Sequence, residues 1–222
     1  MTLVHDLVLP KPGKPLCLVL HGLGDCKEGW KPVAPMFGLD GWGWAFVQAP
    51  RRYGEGWSWF ELDIERMQSV PSQVAHSHAL VLELLDHLER TQGLPCERIA
   101  LLGFSQGCSL ALETVLRHPR RLLATLAISG WVNCEADWPA GFGAALPGQR
   151  LLVTHGRWDP LIPIDLARPR IARLKGLGVP LTWAEYDKEH GLDPDRELPD
   201  LRAHLLDAER AATHGPGPGE MA

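Results

Sequence analysis

The sequence predicts an α/β protein: a mostly parallel central sheet with helices on both faces. Three observations carry that expectation. Short apolar runs of strand length alternate with longer stretches in which apolar residues recur at helical spacing. The short runs, Leu16 to Leu20 for example, are apolar throughout, as strands covered on both faces must be. The chain has 222 residues, 45% hydrophobic and 22% charged, which suits one domain whose core needs no staples.

Leu3 to Leu9 reads as a first, edge strand and Lys11 to Pro15 as a turn. Leu16 to Leu20 is a buried strand that runs into the glycine-rich loop His21-Gly22-Leu23-Gly24-Asp25. Trp30 to Phe37 is expected to be a short helix, and Trp44 to Val47 a short strand stopped by Pro50. Residues 51–66 read as a loop rich in aromatics. A long helix starts at Pro71 and Ser72, carries Val74, Val81, Leu84, Leu85 and Leu88 on one face, and ends at Gly93. Ile99 to Phe104 is a strand, and Gln106 to Arg117 the helix after it, halted before Pro119. Leu122 to Ser129 is a further strand, followed by an irregular excursion over 130–149. Leu151 to Thr154 is a strand and His155 to Pro163 a loop. Asp165 to Leu177 has a helical pattern, although Pro169 should delay its start or kink it. Leu181 to Tyr186 alternates as a strand, and Asp200 to Ala212 makes a last helix. One domain over 1–213 is expected, with 214–222 as a flexible tail.

Composition narrows the function classes. The net charge of −5 argues against a nucleic-acid partner, which selects basic faces. No apolar run reaches the roughly 18 residues of a membrane span, and Met1 to Pro10 lacks the basic cluster of a signal peptide. Cys17, Cys26, Cys96, Cys108 and Cys134 are odd in number with no C-x-x-C pair, which reads as free thiols in a reducing cytoplasm. His76 and His78, two apart, would not share a helix face, so no metal pair is expected there. The oligomeric state stays open, a homodimer included.

In open parallel sheets, function gathers in the loops beyond the carboxyl ends of the strands. Gly103-Phe104-Ser105-Gln106-Gly107 is one such loop, set between a strand and a helix. A turn this tight strains the serine backbone and excludes bulky flanking side chains. It would lift the Ser105 hydroxyl above the sheet. It would also put the Gln106 backbone N–H at a helix N-terminus, facing a developing negative charge. Glycine-serine-glycine spacings occur in ordinary loops too; the strand-then-helix setting separates this one from them.

A serine hydroxyl needs a neighbouring base, and the base needs a carboxylate to hold its tautomer. In this architecture the three follow in the order serine, acid, histidine. Of ten histidines, that order leaves His190, His204 and His214. His204 falls within a helix and His214 in the tail, whereas His190 sits in a loop just after a strand. Asp159, in the loop after strand 151–154, is the leading acid; Asp165, which would more naturally cap a helix, Asp137 and Asp187 stay open. A second oxyanion donor should come from the loop after an earlier strand, and the Leu23 N–H is the best candidate there. His21 is read as a structural hydrogen-bonder. Trp30, Trp57, Trp59, Trp131 and Trp158, among nine tryptophans, fall near these loops and are candidates to line an apolar substrate pocket, Trp57, Trp59 and Trp158 foremost, with ordinary packing the competing reading.

His21-Gly22-Leu23-Gly24-Asp25, Trp59-Phe60, Gly103-Phe104-Ser105-Gln106-Gly107, His155-Gly156 with Asp159 and Pro163, and His190 together resemble the phospholipase/carboxylesterase family, which includes the acyl-protein thioesterases. The likeness covers roughly residues 14 to 210 and keeps the family's motif order. It implies an α/β-hydrolase fold without a large lid domain, and a serine esterase without metal or cofactor that acts on carboxylic ester or thioester bonds. It carries the nucleophile onto Ser105, the acid onto Asp159, the base onto His190, and the oxyanion donors onto Leu23 and Gln106. Cys108 departs from the family, standing where a further glycine is usual; it reads as packing. The segment 51–57 is unlike the protein thioesterases, which favours a small ester over a lipidated protein. A peptidase or amidase on the same scaffold remains a rival, as does a catalytically silent binding module.

Overall fold

Alternate residues of the central strands face opposite ways, and each set is covered by its own helices. The computed structural model describes residues 2–63, 66–133, 135 and 138–214. Seven strands form the main sheet: β1 (His5–Val8), β2 (Leu16–Leu20), β3 (Gly43–Val47), β8 (Ile99–Phe104), β9 (Ala124–Ile128), β10 (Leu151–Gly156) and β11 (Leu181–Tyr186). Their order is β1-β3-β2-β8-β9-β10-β11; β1 is antiparallel to β3 and every other pair is parallel. Four helices follow: α1 (Pro71–Gln92), α2 (Gln106–Arg117), α3 (Ile164–Gly176) and α4 (Glu197–His214).

From β2, Leu16, Leu18 and Leu20 pack with Leu101 and with Val81, Leu85 and Leu88 of α1. Cys17 and Val19 point the other way, onto Leu201, Leu205 and Ala208 of α4. On the α1 side, α2 and α3 cover the β9–β10 half, where Leu112, Val115, Ile171 and Leu174 meet Leu151 and Val153. Burial on both faces explains the unbroken apolar runs, since neither parity of the strand meets water.

Several elements differ from expectation. Only Ala34–Phe37 of the expected first helix forms, as a single 3₁₀ turn, because Pro32 and Pro35 bring no N–H to a longer one. The aromatic stretch 51–66 is not plain loop. It holds the hairpin β4 (Arg51–Tyr53) with β5 (Gly56–Ser58), and Leu62–Asp63 (β6) pairs with Gln68–Ser69 (β7). β10 runs two residues further than expected, because His155 and Gly156 still pair with Glu185 and Tyr186 of β11. α3 starts at Ile164 and runs through Pro169. α4 starts at Glu197, with Pro199 in its first turn, where a missing N–H has no intrahelical bond to lose. It continues through His214, the first residue of the expected tail. The rest of that tail, Cys134 and the candidate acid Asp137 lie outside the described residues. Among the described residues, no helix is long and apolar enough to cross a membrane.

Candidate active site

The carboxyl ends of β8, β10 and β11 bring three distant residues together. Ser105 sits at the β8–α2 turn with φ 54° and ψ −114°, its N–H bonded to the Ile128 carbonyl at 2.9 Å. Glycine at 107 lets the first turn of α2 lie against the end of β2: a Cβ there would collide with the Leu20 and His21 carbonyl oxygens. His190 follows β11. Its Nε2 lies 2.9 Å from Ser105 Oγ and its Nδ1 2.7 Å from Asp159 Oδ2. An ionised carboxylate only accepts, so Nδ1 carries the proton and donates it, leaving Nε2 free to accept from the serine hydroxyl. The imidazole packs on Phe104, ring centroids 5.1 Å apart, and Phe104 rests on Trp30.

Asp159 is buried in the loop after β10. Burial alone would push its carboxyl pKa up. The His190 hydrogen bond and the backbone donors of Ile162 and Leu161, at 2.8 and 2.9 Å to Oδ1, outweigh it and hold the carboxyl below its ordinary value. The other candidate acids are elsewhere: Asp165 is exposed and paired with Arg168, and Asp187 is paired with Arg157.

Two further loops close around this line. His21 is buried; its Nδ1–H donates to the Gly22 carbonyl at 2.7 Å, and Nε2 accepts from the Ala49 N–H at 3.2 Å. Burial lowers its pKa, which keeps it the neutral structural member that its place in the loop suggested. The Gly24 N–H donates to the Trp57 carbonyl and the Trp57 N–H to the Asp25 carbonyl, which ties this loop to β5. The Gln106 side chain is wholly buried. Its Oε1 accepts the Trp59 N–H at 2.8 Å and its Nε2 donates to the Phe60 carbonyl at 2.7 Å.

A cavity of about 220 Å³ opens on Ser105 and His190; Leu23, Leu62, Met67, Trp131, Leu161 and Ile162 wall it, and Gln106 also faces it. Of the five candidate tryptophans, Trp131 walls it, and Trp30, Trp57, Trp59 and Trp158 do not. Trp59 is wholly buried and donates from Nε1 to the His21 carbonyl at 2.9 Å. Trp57 lies under the Arg52 guanidinium, 4.2 Å from its ring, and faces a separate hollow with Leu3 and Leu80. Trp158 is 65% exposed outside the cavity. Trp131 holds its wall position from the excursion after β9. A larger open groove of about 700 Å³, with Arg51, Tyr53 and Ser69, meets the cavity at Leu23 and Leu62. Among the described residues, no group of three or more His, Cys, Asp or Glu is gathered as a metal ion would need.

A model of the phospholipase/carboxylesterase family matches residues 9–206. The chain belongs to that family. Acyl-protein thioesterase 1 of Cryptococcus neoformans is 31% identical to this family member over 174 residues, 72% of this chain and 73% of that one. Acyl-protein thioesterase 1 of Schizosaccharomyces pombe is 29% identical over 161 residues, 68% and 70% of the two chains. The crystal structure of esterase PE8 matches 94% of this chain and all of its own with a TM-score of 0.82; at 24% identity that likeness speaks for the fold alone. This phospholipase/carboxylesterase family member therefore has the α/β-hydrolase fold and is a serine hydrolase of esters.

Part of the site was invisible in its sequence. Lys188 and Glu197 form a buried ion pair behind His190. Lys188 stands in Asp187-Lys188-Glu189, a charged run that reads as a solvated loop. Ser129 carried a usable signal, since it follows directly on the carboxyl end of β9.

Proposed function

We propose that this protein is a carboxylesterase for esters with a short acyl group, acting through Ser105, His190 and Asp159 by way of an acyl-enzyme. The observation that carries the reading is the unbroken hydrogen-bonded line from Ser105 through His190 to Asp159, at 2.9 and 2.7 Å, opening on an apolar cavity. His190 Nε2 takes the hydroxyl proton as Ser105 Oγ attacks the ester carbonyl, and Asp159 stabilises the imidazolium that forms. The tetrahedral oxyanion is received by the backbone N–H groups of Leu23 and Gln106, two residues that both face the cavity. The imidazolium then protonates the departing alkoxide. Water, deprotonated by the same nitrogen, releases the acid and restores the hydroxyl.

The size of the cavity next to Ser105, taken apart from the groove it meets at Leu23 and Leu62, supports a short acyl group. About 220 Å³ falls below the roughly 300–1,000 Å³ of pockets that enclose drug-sized ligands. A thioester substrate is the second reading, favoured by the two relatives named acyl-protein thioesterase. A panel of p-nitrophenyl esters and acyl thioesters of rising chain length separates the two. Turnover should peak at short acyl groups, and Ser105→Ala should lose about a thousandfold or more in kcat. Near-normal turnover by Ser105→Ala would end the proposal.

A further inference from the structure

We infer that Lys188, clamped by Glu197, is a positioning residue for the base: it holds the His190 loop within reach of Ser105. The inference rests on the reading of Ser105 and His190 just proposed. Lys188 lies two residues before His190, yet its side chain turns inward. Its ammonium donates to both Glu197 carboxylate oxygens at 2.7 and 2.6 Å, to the Gly191 carbonyl at 2.7 Å and to the Ser129 hydroxyl at 3.1 Å. The Lys188 side chain is 7% exposed and that of Glu197 not at all.

These contacts lead to Ser105 and His190, and the backbone of Lys188 leads to Asp159. Gly191 is the residue after the base. Ser129 follows Ile128, whose carbonyl takes the Ser105 N–H at 2.9 Å. The Trp158 N–H, next to Asp159, donates to the Lys188 carbonyl at 3.1 Å. Glu197 also accepts the Asp193 N–H at 3.1 Å, which closes the chain between His190 and α4.

An ion pair this deep contributes little net stability, because the loss of hydration offsets its attraction. It does provide fixed donors for particular acceptors. An apolar pair would fill the same space without dictating where the Gly191 carbonyl lies. With the ammonium gone, that carbonyl loses its donor and His190 is free to draw back. A displacement of about 1 Å costs on the order of a hundredfold in rate.

The test uses the full chain with p-nitrophenyl acetate, reading kcat, KM and the thermal midpoint. The double variant Lys188→Met, Glu197→Met removes both charges and leaves no buried carboxylate alone. Lys14→Met is the control; it breaks the Lys14–Glu209 pair beyond the opposite end of β2. The double variant should lose about a hundredfold in kcat with KM within about twofold and a midpoint no lower than the control's. The far-downfield proton resonance shared by His190 and Asp159 should weaken with it. Wild-type kcat and an intact resonance in the folded double variant would overturn the inference while leaving the esterase reading in place. Failure of the wild type to cleave any ester would remove that reading itself. If the double variant does not fold, Glu197→Gln, which keeps one acceptor oxygen, should lose about tenfold in kcat, and an unchanged kcat there would overturn the inference as well.

Discussion

Ser105 is held at φ 54°, a backbone region that a residue with a Cβ seldom adopts and that costs about 1–3 kcal/mol. The strain is sustained because its N–H is bonded to Ile128 and α2 is pinned behind it. Its partner Asp159 is just as tightly prescribed, with one oxygen facing two backbone donors and the other facing His190. A carboxamide in its place cannot serve both sides. With the amide oxygen toward His190, the NH₂ confronts the Leu161 and Ile162 N–H groups. Turned over, it forces the His190 proton onto Nε2, where it blocks acceptance from Ser105. Asp159→Asn should therefore fold and lose on the order of 10⁴-fold in kcat, with KM little changed. A variant within tenfold of wild type would take Asp159 out of the reaction. The contact of Ser105 with His190 was legible because the order serine, acid, histidine leaves few histidines to choose from. The exclusion of Trp59 from the pocket was not, since the direction an indole points depends on partners such as the His21 carbonyl, far away in sequence.

At the scale of elements, the helix after the serine is the tightest fit. From Gln106 to Leu116 every residue of α2 is buried. Its first turn passes so close to the end of β2 that a methyl group at position 107 would meet two carbonyl oxygens. Gly107→Ala should cost about 1–3 kcal/mol or more, read as a lower denaturation midpoint, with activity falling because the elbow shifts. Gly176→Ala, where an added Cβ meets nothing within 4 Å, is the matched control and should lie within about 1 kcal/mol of wild type. Equal midpoints for the two variants would refute this account of the packing. The long helix α1 was readable from its apolar period and its proline and glycine ends. The β4–β5 hairpin was not, because three-residue strands carry no usable period; pairing with the loop after β2 stabilises it instead.

Over the whole molecule, the fold also covers five histidines wholly or in part. Burial lowers the pKa of His21, His78, His118, His155 and His204, and it takes His78 down to about 4. Each holds a proton less readily when folded than when unfolded, where it charges once the pH drops below its ordinary value of 6.5. The unfolded state then binds more protons, so stability is full above pH 6.5 and is lost as the pH falls toward the folded value. The thermal midpoint should decline between pH 6.5 and 4. His78→Gln should flatten the decline by up to about 1.4 kcal/mol per pH unit. Wild-type and variant curves that stay parallel across that window would contradict the prediction.

Local chemistry is why the sequence alone could determine the succession of strands and helices, the tight turn at Ser105 and the histidine that lies beside it. Apolar period, glycine spacing and chain order are all written along the backbone. Only the tertiary structure decided that Trp131 and Met67 wall the cavity while Trp57, Trp59 and Trp158 lie elsewhere, and that a lysine in a charged run turns inward to Glu197. The physical reason is that a side chain's direction and burial are set by what the fold brings against it, and those neighbours come from segments far off in the chain.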